Sequence, residues 1–262
     1  MLSAQNDQGK EVQAEAVEWE DGPFYCPGCG EEVILKQGPI KIPHFAHYPE
    51  SDCDHVGTGE SDEHRAAKLE IYHALQARPD VRDVRLEHVL GEIRADVSFV
   101  RGRERVAIEV QASCLSRTAI AQWTEAYARK NIAVLWTPPR PVEMDEERYA
   151  PADYERYLHR MYYGQVFYWV QQLELVSVKF EKHMLAPNRY GVERYARRFV
   201  EPAGNLTLWL KSCEPHDRKS TESSNLVFLS LSHSAPQRHS SLVTLEIQWR
   251  SSSPNPTSRT GM

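Results

Sequence analysis

The sequence lacks the features of membrane, secreted and strongly basic proteins. No apolar run is long enough to cross a bilayer, and the first residues lack the charged-then-apolar pattern of a secretory signal. Five cysteines in 262 residues favour reduced thiols with a metal site over a disulfide framework. Because the net charge is -6, any contact with nucleic acid requires a local basic patch. These absences predict a cytoplasmic protein. A chain of 262 residues has room for one large domain plus an appendage, or for two small domains.

Residues 94–113 are predicted to form two strands joined by a turn at Gly102. Apolar and polar residues alternate, which places Asp96 and Glu109 opposite the aliphatic residues of their own strands. Two carboxylates on adjacent strands can share a hard divalent cation. The alternative interpretation is an ordinary edge hairpin whose acids are solvated. An aspartate, a short hairpin and Glu-x-Gln resemble the signature of the PD-(D/E)XK nucleases, with Gln111 at the position of the lysine.

Soft metal ligands are dense between residues 23 and 55. Cys26 and Cys29 enclose a Pro-Gly pair, which is typical of a zinc knuckle. Further candidate ligands follow a short predicted hairpin: His44, His47, Cys53 and His55. The two histidines are only three residues apart, so Cys53 with one histidine is an alternative to both histidines. The pattern predicts a structural Zn²⁺, and a free CxxC with scattered histidines is the competing interpretation.

Residues 59–77 form the best predicted helix, capped by Ser61 or Asp62. His64 and Lys68 are four residues apart and share a face, with Glu60 or Glu63 at its N-terminal end. This face is either solvated or turned toward the strand carboxylates, in which case Glu63, His64 or Lys68 lies over them.

The remaining elements complete a mixed α/β (α+β) pattern. A strand is predicted over residues 81–90, a helix from Ser116 or Thr118 to Lys130, and a buried strand over Ile132 to Trp136. With the first helix and the hairpin, the order is helix, three strands, helix, strand. This is the αβββαβ core of the restriction-endonuclease-like fold.

A helical, aromatic-rich C-terminal extension is predicted beyond the core. Residues 154–172 read as a helix or a helix pair broken near Gly164, and core packing is favoured over base stacking as their purpose. A basic cluster of four arginines could track phosphates: Arg189, Arg194, Arg197 and Arg198. Strand-like segments with Ser-rich spacers follow Pro202, and the last dozen residues are expected to be disordered. The predicted divisions are 1–58 (N-terminal strand and zinc knuckle), 59–137 (core), 138–200 (linker and extension) and 201–262 (tail).

Several motifs occur together in order: CPGCG, KIPHFAH, ESDEHRAAKLEIY, RADV, IEVQAS and YYGQVFYW. This combination, from about Pro23 to about Phe180, resembles the competence-protein CoiA-like family. That family is described as predicted nucleases of the PD-(D/E)XK superfamily, linked to processing of incoming DNA during natural transformation. The resemblance assigns the strand acid to Asp96 and the E-x-Q pair to Glu109 and Gln111. It assigns the helix motif to Glu60, Glu63, His64 and Lys68.

The sequence therefore predicts a metal-dependent nuclease that hydrolyses DNA phosphodiester bonds. Asp96 and Glu109, with the Val110 carbonyl, would hold Mg²⁺ or Mn²⁺. Gln111 could orient a water but carries no charge, so Lys68 is the candidate for the missing cation. The expected partners are DNA and recombination or competence proteins. The competing hypothesis is a nuclease-derived DNA-binding or adaptor protein without hydrolysis.

Overall fold

The computed structural model describes residues 1–53, 60–110, 115–145, 149–185, 194–200, 205–210, 227–233 and 243–247. These residues form three sheets and three α-helices, a mixed α and β architecture. Among them, no helix has the length and apolar character needed to cross a membrane.

The N-terminal unit is one antiparallel sheet of five short strands. They are β1 (Ser3–Asn6), β2 (Glu11–Gln13), β3 (Phe24–Tyr25), β4 (Glu32–Lys36) and β5 (His44–His47). Their order across the sheet is β2-β1-β3-β4-β5. Alternation along β4 buries Val33 and Leu35, which pack with Phe24 and Phe45 in a small separate core. Cys26 and Cys29 lie between β3 and β4 of this sheet.

The central unit has the predicted order of helix, three strands, helix and strand. Its elements are α1 (Asp62–Gln76), β6 (Arg82–Leu90), β7 (Ile93–Arg101), β8 (Glu104–Glu109), α2 (Arg117–Arg129) and β9 (Ile132–Trp136). The sheet order is β6-β7-β8-β9, antiparallel except for the parallel pair β8–β9. A serine side chain caps the N-terminus of each helix. Ser61 Oγ accepts a hydrogen bond from the His64 amide of α1, and Ser116 Oγ accepts one from the Ala119 amide of α2.

The two helices cover opposite faces of this sheet. Ile71 of α1 shares a buried cluster with Val97 and Ile108, whereas Tyr127 of α2 shares another with Ala107. Ala107 and Ile108 are successive residues of β8, so their side chains point to opposite faces. The sheet is therefore enclosed on both sides, and side chains at its end meet residues from both helices.

The prediction that residues 154–172 are helical is wrong beyond Met161. A helix α3 (Asp153–Met161) is followed by β10 (Val166–Gln171), which pairs with β11 (Glu174–Leu185). Gly164 lies between α3 and β10, and its φ of 90° is in the left-handed region that favours glycine. The run after it, Val-Phe-Tyr-Trp-Val, consists of β-branched and aromatic residues that favour strands, and tertiary pairing decides in favour of the sheet.

The C-terminal sheet continues with three strands where the sequence predicted strand-like segments beyond Pro202: β13 (Asn205–Leu210), β14 (Val227–His233) and β15 (Val243–Ile247). A further strand, β12 (Arg194–Val200), lies within residues 138–200, so the prediction of a helical extension is wrong there as well. The order is β10-β11-β13-β14-β15, and β12 also pairs with β11. Three arginines of the predicted basic cluster lie on β12, whereas Arg189 and the last dozen residues lie outside the described residues.

Candidate functional site

A buried lysine lies at the centre of a cluster of charged side chains. Lys68 of α1 is 1% exposed, and its ammonium forms ion pairs with Glu60 and Glu87. Its Nζ also lies 3.8 Å from Asp96 Oδ1. Burial lowers the pKa of Lys68, but the surrounding carboxylates outweigh burial and raise it above the ordinary value. Lys68 is therefore a permanent cation beside the predicted strand acid.

His64 lies one helical turn before Lys68 and bridges two carboxylates. Its Nδ1 is 3.1 Å from Glu60 Oε1, and its Nε2 is 3.1 Å from Asp96 Oδ2. Burial opposes protonation, but hydrogen bonds to the two acids prevail and raise the pKa of His64 to about 9. At neutral pH the ring is an imidazolium. We call Glu60, His64, Lys68, Glu87 and Asp96 the charge cluster.

The two predicted strand acids lie near each other but have different partners. Asp96 Oδ2 accepts a hydrogen bond from the Val110 amide at 2.9 Å, which brings it beside the end of β8. Glu109 is buried and accepts a hydrogen bond from the Tyr127 hydroxyl of α2. Burial and the negative charge of Asp96 both raise the pKa of Glu109. Asp96 therefore connects the charge cluster of α1 with the Glu109 end of β8.

Glu87 of β6 is a member that the sequence did not indicate. Its Oε1 pairs with Lys68, and its Oε2 accepts from the backbone amides of Leu2 at 2.7 Å and Ser3 at 3.4 Å. Burial raises its pKa, but the positive charges of Lys68, the N-terminal ammonium and Arg94 together outweigh burial and lower it below the ordinary value. Leu86 packs with the α1 cluster, so regular alternation would place Glu87 on the opposite face. Its φ of 51° interrupts that alternation.

The other predicted members of this site are not part of the charge cluster. Glu63 is exposed on α1, and Glu60 is the acid that lies with His64 and Asp96. Gln111, predicted at the lysine position, lies outside the described residues.

The charge cluster includes three residues that could hold a metal ion: Glu60, His64 and Asp96, whose ligand atoms lie within 4.8 Å of one another. Asp96 and Glu60 remain 17% and 13% exposed, whereas Lys68 and Glu87 are closed off from solvent. Carboxylate oxygens that reach solvent suit a hard divalent cation. The positive charge of protonated His64 already offsets the charges of Glu60 and Asp96, so a metal ion bound to these two acids would compete with the imidazolium.

A second group of possible ligands lies in the N-terminal unit. It consists of Cys26, Cys29, His47 and Cys53, whose ligand atoms also lie within 4.8 Å of one another. We call this group the cysteine cluster. His44 is not a member, because its Nδ1 is 2.8 Å from the Ile42 carbonyl and turns away. Of the two alternatives in the sequence, the structure brings together Cys53 with one histidine; His55 lies outside the described residues.

The turn at the cysteine cluster directs backbone amides at two of its sulfurs. Backbone amides of Gly28 and Glu31 point at the sulfurs of Cys26 and Cys29, at 3.4 and 3.5 Å. Gly30 has a φ of 76°, which lets the chain reverse behind the sulfurs. Burial and the neighbouring thiols raise the pKa of Cys29 to about 12. Three sulfurs and one imidazole, supported by amide donors, suit tetrahedral Zn²⁺.

Comparison with known proteins agrees with these two units. Residues 6–56 match the family model described as competence protein CoiA, N-terminal domain, and residues 60–151 match competence protein CoiA, nuclease-like domain. Together the two matches cover more than half of the chain. Competence protein CoiA of Bacillus subtilis (strain 168) is 28% identical over 120 residues, covering 43% of this chain and 30% of that protein. No solved structure shows a significant match.

The boundaries of these matches follow the architecture. The first match contains β2–β5 and both Cys26 and Cys29, and the second contains all of α1 through β9. Every member of the charge cluster lies within the second match. The chain is therefore a member of the competence protein CoiA family, with an N-terminal domain followed by a nuclease-like domain.

Proposed function

We propose that this protein is a metal-dependent nuclease of the PD-(D/E)XK type that hydrolyses phosphodiester bonds in DNA. The observation that carries the proposal is the position of Lys68, a buried ammonium 3.8 Å from the Asp96 carboxylate. Asp96 is in turn hydrogen-bonded to the amide that follows Glu109. A lysine beside the strand aspartate, which in turn reaches the end of β8, provides the cation that this type of hydrolysis requires, even though the lysine comes from a helix.

Asp96 and Glu109 would hold Mg²⁺ or Mn²⁺, with Glu60 and the Val110 carbonyl as further oxygen ligands. Such an ion, when bound, lowers the pKa of a coordinated water and neutralises charge on the scissile phosphate. Burial and the negative charge of Asp96 both raise the pKa of Glu109. A divalent ion at the end of β8 would offset both effects, which supports a metal ion at this position.

Lys68 has the role that the superfamily gives to the lysine of its strand motif. Its ammonium is positive at every physiological pH, because its pKa is raised by the carboxylates around it. It therefore stabilises negative charge that develops beside Asp96. Gln111, which carries no charge, would only orient a water by hydrogen bonding. His64 holds a proton between Glu60 and Asp96 and is a candidate general acid for the leaving oxygen.

The cysteine cluster would hold a structural Zn²⁺ through Cys26, Cys29, His47 and Cys53. An ion there would connect the turn at Cys26, strand β5 and the segment after it. It would stabilise an N-terminal sheet whose own apolar core is small. Because it uses four protein ligands, it leaves no open position for a reacting water.

A second candidate function is a DNA-binding or adaptor protein without hydrolysis. The net charge of -6 and the glutamine at the lysine position favour it. So does the full pairing of the Lys68 ammonium with acids of its own chain. In either case we propose that the protein works in the cytoplasm on DNA during natural transformation, together with recombination or competence proteins.

The test is cleavage by the purified full chain. End-labelled single-stranded and double-stranded DNA are each incubated with Mg²⁺, Mn²⁺ or a chelator, and products are resolved by length. The nuclease proposal expects cleavage that depends on the divalent ion. Binding without cleavage under every condition would leave the adaptor function as the better account.

A further inference from the structure

Glu87 has a place in the charge cluster that differs from the other two acids. It is 2% exposed, and its oxygens do not belong to the group that could hold a metal ion. Both oxygens are used: Oε1 by the Lys68 ammonium, and Oε2 by two backbone amides of the N-terminal unit. Glu87 therefore cannot touch substrate, and any role in the reaction is exerted through Lys68.

The contacts on the far side of Glu87 connect the two units of the protein. The amides of Leu2 and Ser3 donate to Oε2, and the Ser3 hydroxyl donates to the Leu86 carbonyl at 3.0 Å. Both Leu2 and Ser3 are buried, at 1% exposure each. Amide donors keep a buried carboxylate ionised. Leu2, just before β1, and Ser3, the first residue of β1, thus supply hydrogen bonds that favour the anionic form of Glu87 beside Lys68.

The lysine side chain needs such an anchor. A lysine ammonium is a compact charge on a stem with four rotatable bonds, so its position is not set by its own geometry. Glu60 and Asp96 lie on the solvent side of Lys68 and are the acids that would turn toward a divalent ion or a phosphate. Glu87 is the partner that stays in place when they do.

We propose that Glu87 is the positioning residue for Lys68, and that β1 of the N-terminal unit completes the active centre by holding Glu87. The role rests on the proposed nuclease function. It implies that the N-terminal unit contributes to the rate of cleavage as well as to any contact with DNA.

The experiment compares Glu87→Gln with Glu155→Gln in the full chain. Glu155 is a matched control, because it is also a fully buried carboxylate held by hydrogen bonds, from the hydroxyls of Tyr149 and Tyr168 and the Ala152 amide. It has no lysine partner among these contacts. Each variant is assayed for kcat and KM on labelled DNA with Mg²⁺. The Lys68 ammonium is followed by its ¹H–¹⁵N signal, which is visible only when exchange with water is slow.

For Glu87→Gln we expect kcat to fall by about 10²-fold with KM nearly unchanged, because misplacing a catalytic group costs rate rather than affinity. The Lys68 ammonium signal should disappear. Glu155→Gln should retain both the rate and the signal. If Glu87→Gln does not fold, Glu87→Asp, which keeps the charge on a shorter side chain, should lower kcat by about 10-fold.

An unchanged kcat or an unchanged Lys68 signal in Glu87→Gln would overturn the positioning role, as would an unchanged kcat in Glu87→Asp. A wild-type protein that cleaves no DNA would instead overturn the nuclease function, and with it the catalytic part of this inference. In that case the Lys68 signal still decides the anchoring part, because persistence of the signal in Glu87→Gln would overturn it.

Discussion

The cysteine cluster and the charge cluster are assembled from different parts of the chain. Cys26 and Cys29 lie in one turn of the N-terminal sheet, and His47 lies on β5 of the same sheet. The charge cluster instead combines α1, β6 and β7 of the central unit, with amides from the start of β1. The cysteine cluster forms within the N-terminal unit alone. The charge cluster forms only when the helix, the central sheet and the N-terminal unit are packed together.

The two clusters also differ in how their charges are balanced. The cysteine cluster consists of three thiols and one imidazole, and crowding by the neighbouring thiols contributes to the raised pKa of Cys29. The charge cluster contains acids and cations already paired, with Lys68 and His64 between Glu60, Glu87 and Asp96. A metal ion should therefore matter for stability in the first cluster and for chemistry in the second.

The largest effect on stability is expected from Lys68→Met. Removing this ammonium leaves Glu87 buried without its cation, and breaking one side of a buried ion pair costs about 3–5 kcal/mol. The loss should be the same with or without Mg²⁺, because the pairing needs no metal. Urea unfolding measures it, and Lys130→Met, at a partly exposed lysine paired with Glu92, is the control. A loss below about 1 kcal/mol would mean that Lys68 is not held as described.

The next effect is expected from Cys26→Ser in the cysteine cluster. This variant should lose stoichiometric zinc and about 2–4 kcal/mol of stability, because a structural ion contributes folding free energy directly. Elemental analysis and thermal unfolding measure the two quantities. His44→Asn is the matched control: this histidine lies on β5 like His47 but points away, so zinc content should be retained. Wild-type protein without zinc would contradict the assignment.

A smaller effect, dependent on pH, is expected from His64. Its pKa is raised from 6.5 to about 9, so its stabilising contribution is complete below pH 6.5 and is lost as the pH rises through about 9. We expect about 1–3 kcal/mol over this range in protein without added Mg²⁺ or Mn²⁺. Unfolding free energies of wild type and His64→Gln, measured from pH 6 to pH 10, should converge at the alkaline end. Parallel curves would contradict the pairing of His64 with Asp96 and Glu60.

Much of the central fold was predictable because its signals are local. The apolar stripe and the Ser61 cap identify α1, and the continuous run from Ile132 to Trp136 identifies β9 with its observed bounds. The four-residue spacing of His64 and Lys68 indicated one face, and the structure turns that face toward Asp96. Whether the face was solvated or covered depended on packing, which spacing does not contain.

The failures have equally particular causes. Glu87 was missed because alternation assigns it to the face opposite Leu86, and only its left-handed backbone brings it to Lys68. Residues 166–171 were assigned to a helix because a short apolar and aromatic run does not by itself distinguish helix from strand, and pairing with β11 decides in favour of the strand. The choice of His47 over His44 rests on the register of β4 with β5, which a list of ligands does not reveal.

The most direct test of the central claim is the cleavage rate of Asp96→Ala and Glu109→Ala, measured beside DNA affinity. If these acids hold the catalytic ion, each variant should lose cleavage by roughly 10³-fold while DNA binding survives or tightens, because removing an acid also removes repulsion against phosphate. Divalent-dependent cleavage that persists unchanged in the Asp96→Ala, Glu109→Ala double variant would contradict the assigned centre.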